Sequence, residues 1–349
     1  MENEKVLIRQ PADQSQDNNL DRSIDTILRP KKWEHYIGQE KVKAHLKIAI
    51  DATKKRSEAL EHVLLYGSSG LGKTTLANII ARELGSQFHS TSGAAIEKVG
   101  DLAAVLTNLG AGDVLFIDEI HRLNKLIEEI LYPAMENRVL DIILGKGPSA
   151  RTIQLELQPF TLIAATTQAG KLSAPLRSRF GLSAHLEFYN TQEIQKILEN
   201  SSRLLNINIE PDALEIIAAS SRATPRIANR ILKRVRDFAE VKGKDLIEAN
   251  LTKEALDLLE IDKKGLEATD RKILNTIIEK FSGGPAGVQA IAAATNEDEN
   301  TIEDVFEPYL MQLGFLMRTS RGRVVTDLGY KHLGLENMNK NNQQNIFNV

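Results

Sequence analysis

The chain has 349 residues, a formal net charge of −3, 42% hydrophobic and 26% charged residues, and no cysteine. This length suits two or three domains with a sizeable core, and the small net charge does not by itself favour nucleic-acid binding. The lack of cysteine excludes disulfides and thiolate metal sites, and the lack of an apolar signal segment or membrane-length apolar stretch leads us to expect a cytoplasmic protein.

Composition and periodicity divide the chain into segments. Residues 1–20 are rich in Asp, Asn and Gln and are predicted to form a flexible leader. Mixed α/β patterns over 21–189 predict a large domain, and the almost purely helical pattern over 190–262 predicts a small all-α domain. Residues 263–335 predict a third domain, and the Asn/Gln-rich segment 336–349 predicts a disordered tail.

Short apolar runs in the large domain predict strands buried on both faces of a parallel sheet. These runs cover residues 63–66, 114–117 and 161–165. Between the first two runs, apolar residues at 76, 79, 80 and 84 fall on one face of a predicted helix. Strands that alternate with helices indicate an α/β fold.

A glycine-rich loop at 67–74 matches the phosphate-binding pattern G-x-x-x-x-G-K-[ST]. Its glycines allow backbone N–H groups to turn onto phosphate oxygens, with Gly70 and Gly72 at the turn. Lys73 is expected to reach the β- and γ-phosphates, and the Thr74 hydroxyl is expected to hold Mg²⁺. A predicted strand precedes the loop and a predicted helix follows it, so the sequence predicts a site for ATP and Mg²⁺.

Polar residues end the second and third predicted strands. Asp118 is expected to complete the magnesium shell, and Glu119 is expected to polarise the attacking water. Thr166 and Thr167 follow the third strand, and either one has the spacing to contact the γ-phosphate or the water. His121 is interpreted as a structural residue. A carboxylate beside a phosphate loop predicts ATP hydrolysis in addition to binding.

Arginines follow in two further segments. The segment 176–181 could supply a finger toward the ATP of a neighbouring subunit. Arg226 lies where the segment 223–226 opens a predicted helix, from which it could reach the γ-phosphate. The alternative for both segments is a surface salt bridge.

The third domain has the order of elements that is typical of a winged helix-turn-helix. Helices are predicted near 270–281, from 288 and over 301–313, with a turn at 283–285 and a hairpin over 315–325. The hairpin carries Arg318, Arg321 and Arg323, which would contact DNA phosphates without reading sequence. The alternative is a solvated hairpin tip.

Taken in order, these motifs resemble the AAA+ ATPases, and within them the RuvB family of Holliday-junction branch-migration motors. The resemblance runs from about residue 27 to residue 323. It rests on residues 28–30, 36–39, 67–75, 116–123, 165–167, 175–181, 301–304 and 318–319. It implies an AAA+ P-loop core with a parallel sheet, a small all-α lid and a C-terminal winged helix.

The resemblance also implies roles for individual residues. Thr167 would be the first sensor, Arg179 the finger that acts in trans, and Arg226 the second sensor. Tyr189 would lie by the adenine, and Leu28 and Arg29 would contact the nucleotide. Further nucleotide contacts are implied for Thr75, Glu136, Asn137 and Arg138.

The partners implied by the resemblance are copies of the chain itself, DNA and other proteins. The chain would form a homohexameric ring on duplex DNA, loaded by RuvA at a four-way junction, with RuvC joining in a resolvasome. The segment 139–157 reads as a β-hairpin with apolar arms around residues 145–148. In the family such a hairpin docks on RuvA.

Two positions depart from the family pattern. The phosphate loop carries Ser68 and Ser69 where the family has prolines, so we expect a more mobile loop. Glu299 stands where the family often has an arginine, which leaves one expected DNA contact open.

Two other functions compete with a DNA motor. A clamp-loader-like remodelling ATPase would use the same nucleotide site on a protein partner, but the predicted wing carries arginines and no threading loop of aromatics. A sequence-specific winged-helix regulator could use ATP as a switch, yet such a switch needs neither Glu119 nor Arg179.

Overall fold

The computed structural model describes residues 27–144 and 151–336. The predicted leader over 1–20 lies outside the described residues. So do the turn of the predicted hairpin at 145–150 and the predicted tail beyond residue 336.

A five-stranded parallel sheet with the order β2-β3-β6-β1-β7 forms the centre of the large domain. Its strands are β1 (Val63–Tyr66), β2 (Phe88–Ser92), β3 (Val114–Asp118), β6 (Thr161–Thr166) and β7 (Leu182–His185). The helices of this domain are α1 (Glu40–Arg56), α2 (Lys73–Leu84), α3 (Val99–Thr107), α4 (Lys125–Glu136) and α5 (Ala174–Ser178). Strand β6 pairs with both β1 and β3, so the carboxyl ends of these three strands lie side by side.

The three strands predicted from apolar runs are confirmed, and they form the middle of the sheet. The two edge strands were not predicted. Strand β2 has the sequence FHSTS and no buried residue, and β7 has the sequence LSAH with one buried residue. An edge strand is buried less than a central one, so it lacks the apolar run that identifies a strand.

A separate antiparallel hairpin follows α4. Its strands are β4 (Val139–Leu144) and β5 (Arg151–Glu156), with Leu140 opposite Leu155. The predicted hairpin over 139–157 is therefore confirmed in both of its arms.

The core of the large domain lies on both faces of the sheet. Along β3, Phe116 packs into one apolar cluster, whereas Leu115 and Ile117 pack into the other, as the two-residue period of a strand requires. The cluster that contains Phe116 continues into the all-α domain, where it includes Ile194 and Leu232. The large domain and the all-α domain thus share one apolar core.

The all-α domain consists of helices α6 (Thr191–Leu204), α7 (Pro211–Ala219), α8 (Pro225–Val241) and α9 (Ala249–Leu258). Helix α6 begins at a capping box. The Asn190 side chain accepts from the Glu193 backbone N–H, and the Glu193 carboxylate accepts from the Asn190 N–H. This cap places α6 directly after Tyr189, at the boundary of the two domains.

The C-terminal domain is a winged helix. Its elements are α10 (Ala268–Phe281), α11 (Val288–Thr295), α12 (Glu299–Thr301), a π-helical segment (Ile302–Phe306), α13 (Glu307–Gln312), β8 (Leu316–Thr319), β9 (Gly322–Val325) and α14 (Asp327–His332). The predicted hairpin is confirmed, and it pairs Arg318 with Arg323.

The predicted helix over 301–313 is not a regular α-helix. Its first part widens into the π segment, in which the Glu307 N–H donates to the Ile302 carbonyl five residues earlier. Pro308 follows at the start of α13. Proline has no N–H for the carbonyl four residues before it, and its ring collides with that carbonyl. The α-helical ladder is therefore interrupted at residue 304.

The predicted fold class is confirmed, with a parallel α/β core, an all-α lid and a winged helix. Within the described ranges, none of the helices is both long enough and apolar enough to cross a membrane.

Candidate nucleotide site and nucleic-acid interface

The phosphate loop joins β1 to α2 at the carboxyl edge of the sheet. Gly67 has φ +140° and Gly72 has φ +96°, a region that favours glycine. A Cβ atom on Gly67 would also collide with the backbone carbonyl of Leu186. The loop therefore depends on glycine at these positions.

Lys73 begins α2 and turns back over the loop. Its Nζ donates to the carbonyls of Gly67 at 2.8 Å and Ser68 at 2.9 Å. Burial lowers the pKa of Lys73, and the nearby carboxylates of Glu119 and Asp118 act in the opposite direction. The ammonium group thus lies over the loop, where phosphate oxygens could replace the two carbonyls.

Two oxygen ligands suitable for Mg²⁺ lie beside the loop. The Thr74 hydroxyl donates to Asp118 Oδ2 at 3.5 Å, and Asp118 Oδ1 accepts from the Glu119 N–H at 3.0 Å. In the described part of the chain, no three His, Cys, Asp or Glu side chains form a metal-binding group. Magnesium in nucleotide sites usually takes one or two protein oxygens together with phosphate and water, so this pair fits it.

Glu119 lies at the end of β3 in a left-handed conformation, with φ +49°. Its Oε2 accepts from the Thr167 hydroxyl at 3.3 Å and contacts His121 Nδ1 at 3.1 Å. Thr166 is fully buried, and its Oγ1 lies 2.9 Å from His121 Nδ1. Spacing alone did not distinguish Thr166 from Thr167. The structure distinguishes them, because Thr167 contacts Glu119 and Thr166 contacts His121.

His121 connects these two groups through Nδ1. Burial lowers the pKa of His121, while the carboxylates of Glu119 and Asp304 partly offset that effect. The interpretation of His121 as structural agrees with these contacts, which position Glu119.

A cavity of about 760 Å³ extends from the phosphate loop to the lid. Its lining includes most of the predicted nucleotide contacts: Leu28, Arg29, Gly70, Gly72, Lys73, Thr74, Thr75, Asp118, Glu119, Tyr189 and Arg226. The sequence reasoning missed the lid residues that complete the wall: Ile197, Asn200, Ser201, Arg203, Leu204 and Asn229. The apolar stripe of α6 is visible in the sequence, but no pattern shows which lid residues face the loop.

Tyr189 lies where the large domain meets the lid. Its hydroxyl donates to the Leu71 carbonyl at 3.2 Å and lies 3.4 Å from the Tyr36 hydroxyl, and burial raises the pKa of both phenols. Tyr36, which was not predicted as a site residue, also lines the cavity. Tyr36 and Tyr189 thus connect the phosphate loop, through the Leu71 carbonyl, to the boundary between the large domain and the lid.

Arg226 reaches the phosphate loop from the start of α8. Its Nη1 donates to Ser69 Oγ at 3.3 Å. Ser69 stands where the family has a proline, and its hydroxyl accepts this hydrogen bond from Arg226, the predicted second sensor. A proline has no side-chain oxygen and could not make the contact.

Arg179 and the segment 136–138 do not line the cavity of their own chain. Arg179 donates to Glu136 Oε2 at 3.2 Å and to the Pro175 carbonyl at 2.7 Å, and its guanidinium lies 4.3 Å from the centre of the Tyr132 ring. Glu136 ends α4, so the predicted finger and the predicted segment lie together at a second surface.

The two wing arginines predicted to bind DNA differ in their surroundings. Arg318 is exposed over 56% of its side chain and donates to Glu303 Oε1 at 3.2 Å. Arg323 is exposed over only 7%, and it pairs with Glu307 at 2.5 Å and Glu303 at 2.6 Å. Arg323 is thus buried between two carboxylates, which a DNA phosphate would have to displace, and its DNA contact stays a prediction.

The phosphate loop, the acidic end of β3, the lid and the winged helix together define a P-loop ATPase of the AAA+ class. Three family models match the chain in succession. They are the Holliday junction DNA helicase RuvB P-loop domain over 28–186, the RuvB AAA lid domain over 189–262 and the RuvB C-terminal winged helix domain over 263–334. The chain belongs to the RuvB family, and it is an ATP hydrolase.

Solved structures agree with this assignment. The chain is 51% identical to the Thermotoga maritima RuvB Holliday junction branch migration motor, with 89% of this chain and 99% of that chain covered and a TM-score of 0.82. A point mutant of Thermotoga maritima RuvB matches at 51% identity, covering 88% of this chain and 99% of that chain, with a TM-score of 0.83.

Proposed function

We propose that this chain is an ATP-driven translocase that moves the branch point of four-way DNA junctions. The single observation that carries the proposal is one chain that joins a phosphate loop and an acidic strand end to a winged helix. Glu119 and Thr167 meet beside the phosphate loop, and the wing presents Arg318 to solvent. Family membership supports the same function.

The chain's own residues supply most of the hydrolytic chemistry. Lys73 would leave the carbonyls of Gly67 and Ser68 and pair with the β- and γ-phosphates. Thr74 and Asp118 would hold Mg²⁺, which neutralises charge on the phosphates. Glu119 would accept a hydrogen bond from the attacking water, and Thr167 would orient that carboxylate.

A ring explains the position of Arg179. The guanidinium lies outside its own cavity, and its ion pair with Glu136 is partly exposed, with 20% and 52% of the two side chains accessible. Such a pair is worth only about 0–1 kcal/mol, so the phosphate of a neighbouring subunit could replace Glu136. Glu136, Asn137 and Arg138 would lie at the same subunit interface, and the family suggests six subunits.

Partners follow from the remaining surfaces. The β4–β5 hairpin forms a two-stranded sheet apart from the central sheet, and it is our candidate for docking RuvA. Arg318 would contact phosphates of duplex and four-way DNA without reading sequence. RuvC would join at the junction, and the cytoplasm would be the site of action.

ATPase assays test this function. We expect ATP hydrolysis to rise when duplex or four-way DNA is added with RuvA. We also expect labelled four-way junctions to dissociate into duplex products without being cut. Lys73→Ala should abolish both activities, whereas Lys196→Ala, which removes an exposed lysine of the lid, should retain them. Stimulation by a protein substrate alone would contradict the proposal and favour a remodelling ATPase.

A further inference from the structure

A side chain at the catalytic edge of the sheet contacts the winged-helix domain. Gln168 follows the sensor threonines at the end of β6, and its Nε2 donates to both carboxylate oxygens of Asp304. Asp304 belongs to the π segment of the C-terminal domain. Residues 136 positions apart in the sequence therefore meet beside the nucleotide site.

Hydrogen bonds continue from Gln168 toward Glu119. The Gln168 backbone N–H donates to Thr166 Oγ1 at 2.9 Å, and the same oxygen lies 2.9 Å from His121 Nδ1. That nitrogen is 3.1 Å from Glu119 Oε2. A continuous series of polar contacts thus leads from Asp304 to the carboxylate that would activate water.

The neighbouring residue of the π segment contacts the wing. Glu303 Oε1 accepts from Arg318 at 3.2 Å and from Arg323 at 2.6 Å. Adjacent carboxylates therefore face two domains, with Glu303 bound to the wing and Asp304 bound to the ATPase core. A movement of one would be transmitted to the other through a single peptide unit.

The lid contacts the same segment. Arg222, which is buried, donates to the Val305 carbonyl at 3.0 Å and to Asp270 at 2.9 Å. It has φ +53°, and it lies shortly before α8, the helix that carries Arg226. The π segment therefore contacts the wing, the lid and the catalytic edge at once.

The Gln168 side chain leaves one of its polar atoms without a partner in the described part of the chain, which suggests that its contact with Asp304 has a functional role. Within the described residues, Gln168 Oε1 is a buried oxygen without a hydrogen-bond partner. A buried polar atom that lacks a partner destabilises the fold, and π turns are frequent at functional sites. Packing alone would be served better by an apolar side chain.

We propose that Asp304 is a positioning residue that couples DNA on the wing to Glu119 through Gln168, Thr166 and His121. A phosphate that pairs with Arg318 releases that arginine from Glu303, the π segment shifts, and the hold of Asp304 on Gln168 changes. This coupling rests on the proposed function, since it requires DNA to bind the wing.

Alanine variants at the two ends of the contact test the coupling. Asp304→Ala and Gln168→Ala should each lower the stimulation of ATPase by duplex DNA by roughly fivefold or more, the lower end of couplings between sites. Stimulation is the ratio of the ATPase rate with DNA to the rate without DNA in the same variant, so a change in the basal rate does not enter the comparison. The affinity for DNA without nucleotide should remain as in the wild type. The double variant should lose no more stimulation than either single variant, because both changes break one contact.

A second measurement does not depend on catalysis. Coupling between binding sites is reciprocal, so a non-hydrolysable ATP analogue should change the Kd for duplex DNA in the wild type and change it less in either variant. Glu279→Ala, which removes an exposed carboxylate of the same domain, should behave as the wild type.

The outcomes separate this coupling from the function on which it rests. Full stimulation in both alanine variants, or losses that add in the double variant, would overturn the coupling. If one variant fails to fold, the other still tests the contact from its own side. A wild-type protein that DNA neither binds nor stimulates would overturn the proposed function itself.

Discussion

The nucleotide cavity and the wing both gather basic residues, but their arginines and lysines have different freedom. Lys73 and Arg226 contact neutral oxygen atoms of the phosphate loop and face the cavity. Arg323 of the wing is held by two carboxylates and buried. A basic residue is available to an anion where its charge is not already buried against carboxylates.

The difference arises from the range of the contacts. The partners of Lys73 lie within six residues of it, in a loop whose turn is set by glycine. The carboxylates that hold Arg323 lie 16 and 20 residues earlier, across the winged-helix fold. The contacts of a local motif can therefore be predicted from its sequence. The contacts of a basic cluster on a hairpin cannot, because they depend on residues elsewhere in the domain.

The largest expected effect concerns Arg179, which resembles Arg323 in having a glutamate partner but remains partly exposed. Arg179→Ala should bind ATP and lose roughly 10³–10⁵-fold in hydrolysis, as expected for a finger. Mixing it with Lys73→Ala should restore part of the activity, because one subunit then supplies the loop and its neighbour the finger. Steady-state ATPase on mixed rings measures this.

The matched control is Arg177→Ala, two residues away. Arg177 donates to the carbonyls of Ala169 and Leu172 in its own chain, so its loss should leave hydrolysis largely intact. If mixed rings form and no mixture recovers activity, Arg179 does not act in trans.

An intermediate effect is expected for Arg323. Arg323→Ala should destabilise the winged helix by about 3–5 kcal/mol, because Glu307 is then a buried charge without its partner. Chemical denaturation followed by circular dichroism would show a lower midpoint. Unchanged stability together with weaker DNA binding would show that Arg323 contacts phosphate. The basic residues of the wing would then be as available to anions as those of the nucleotide cavity.

The smallest effect is expected for Arg318, which is exposed. Arg318→Ala should leave stability unchanged, weaken DNA binding uniformly across sequences and lower the salt dependence of log K by about 1. Titration of labelled duplexes at several salt concentrations measures the slope. Lys244→Ala, which removes an exposed charge of the lid, is the control, and an unchanged slope for Arg318→Ala would exclude Arg318 from the DNA contact.

Much of the fold could be predicted because its signals are local. Central strands are apolar over their whole length, and all three were found, while the edge strands β2 and β7 were missed because they are partly exposed. The π segment was also missed, since Pro308 indicates an interruption of a helix but not the wider turn that precedes it.

The sequence by itself determined the nucleotide loop, the acidic strand end and the order of the domains, because each depends on residues adjacent in the chain. Only the tertiary structure decided which threonine contacts Glu119, which lid residues close the cavity and which wing arginine is buried. The contact between Asp304 and Gln168 is likewise visible only in the tertiary structure. These contacts join separate elements, and side chains far apart in sequence become neighbours only when the elements pack.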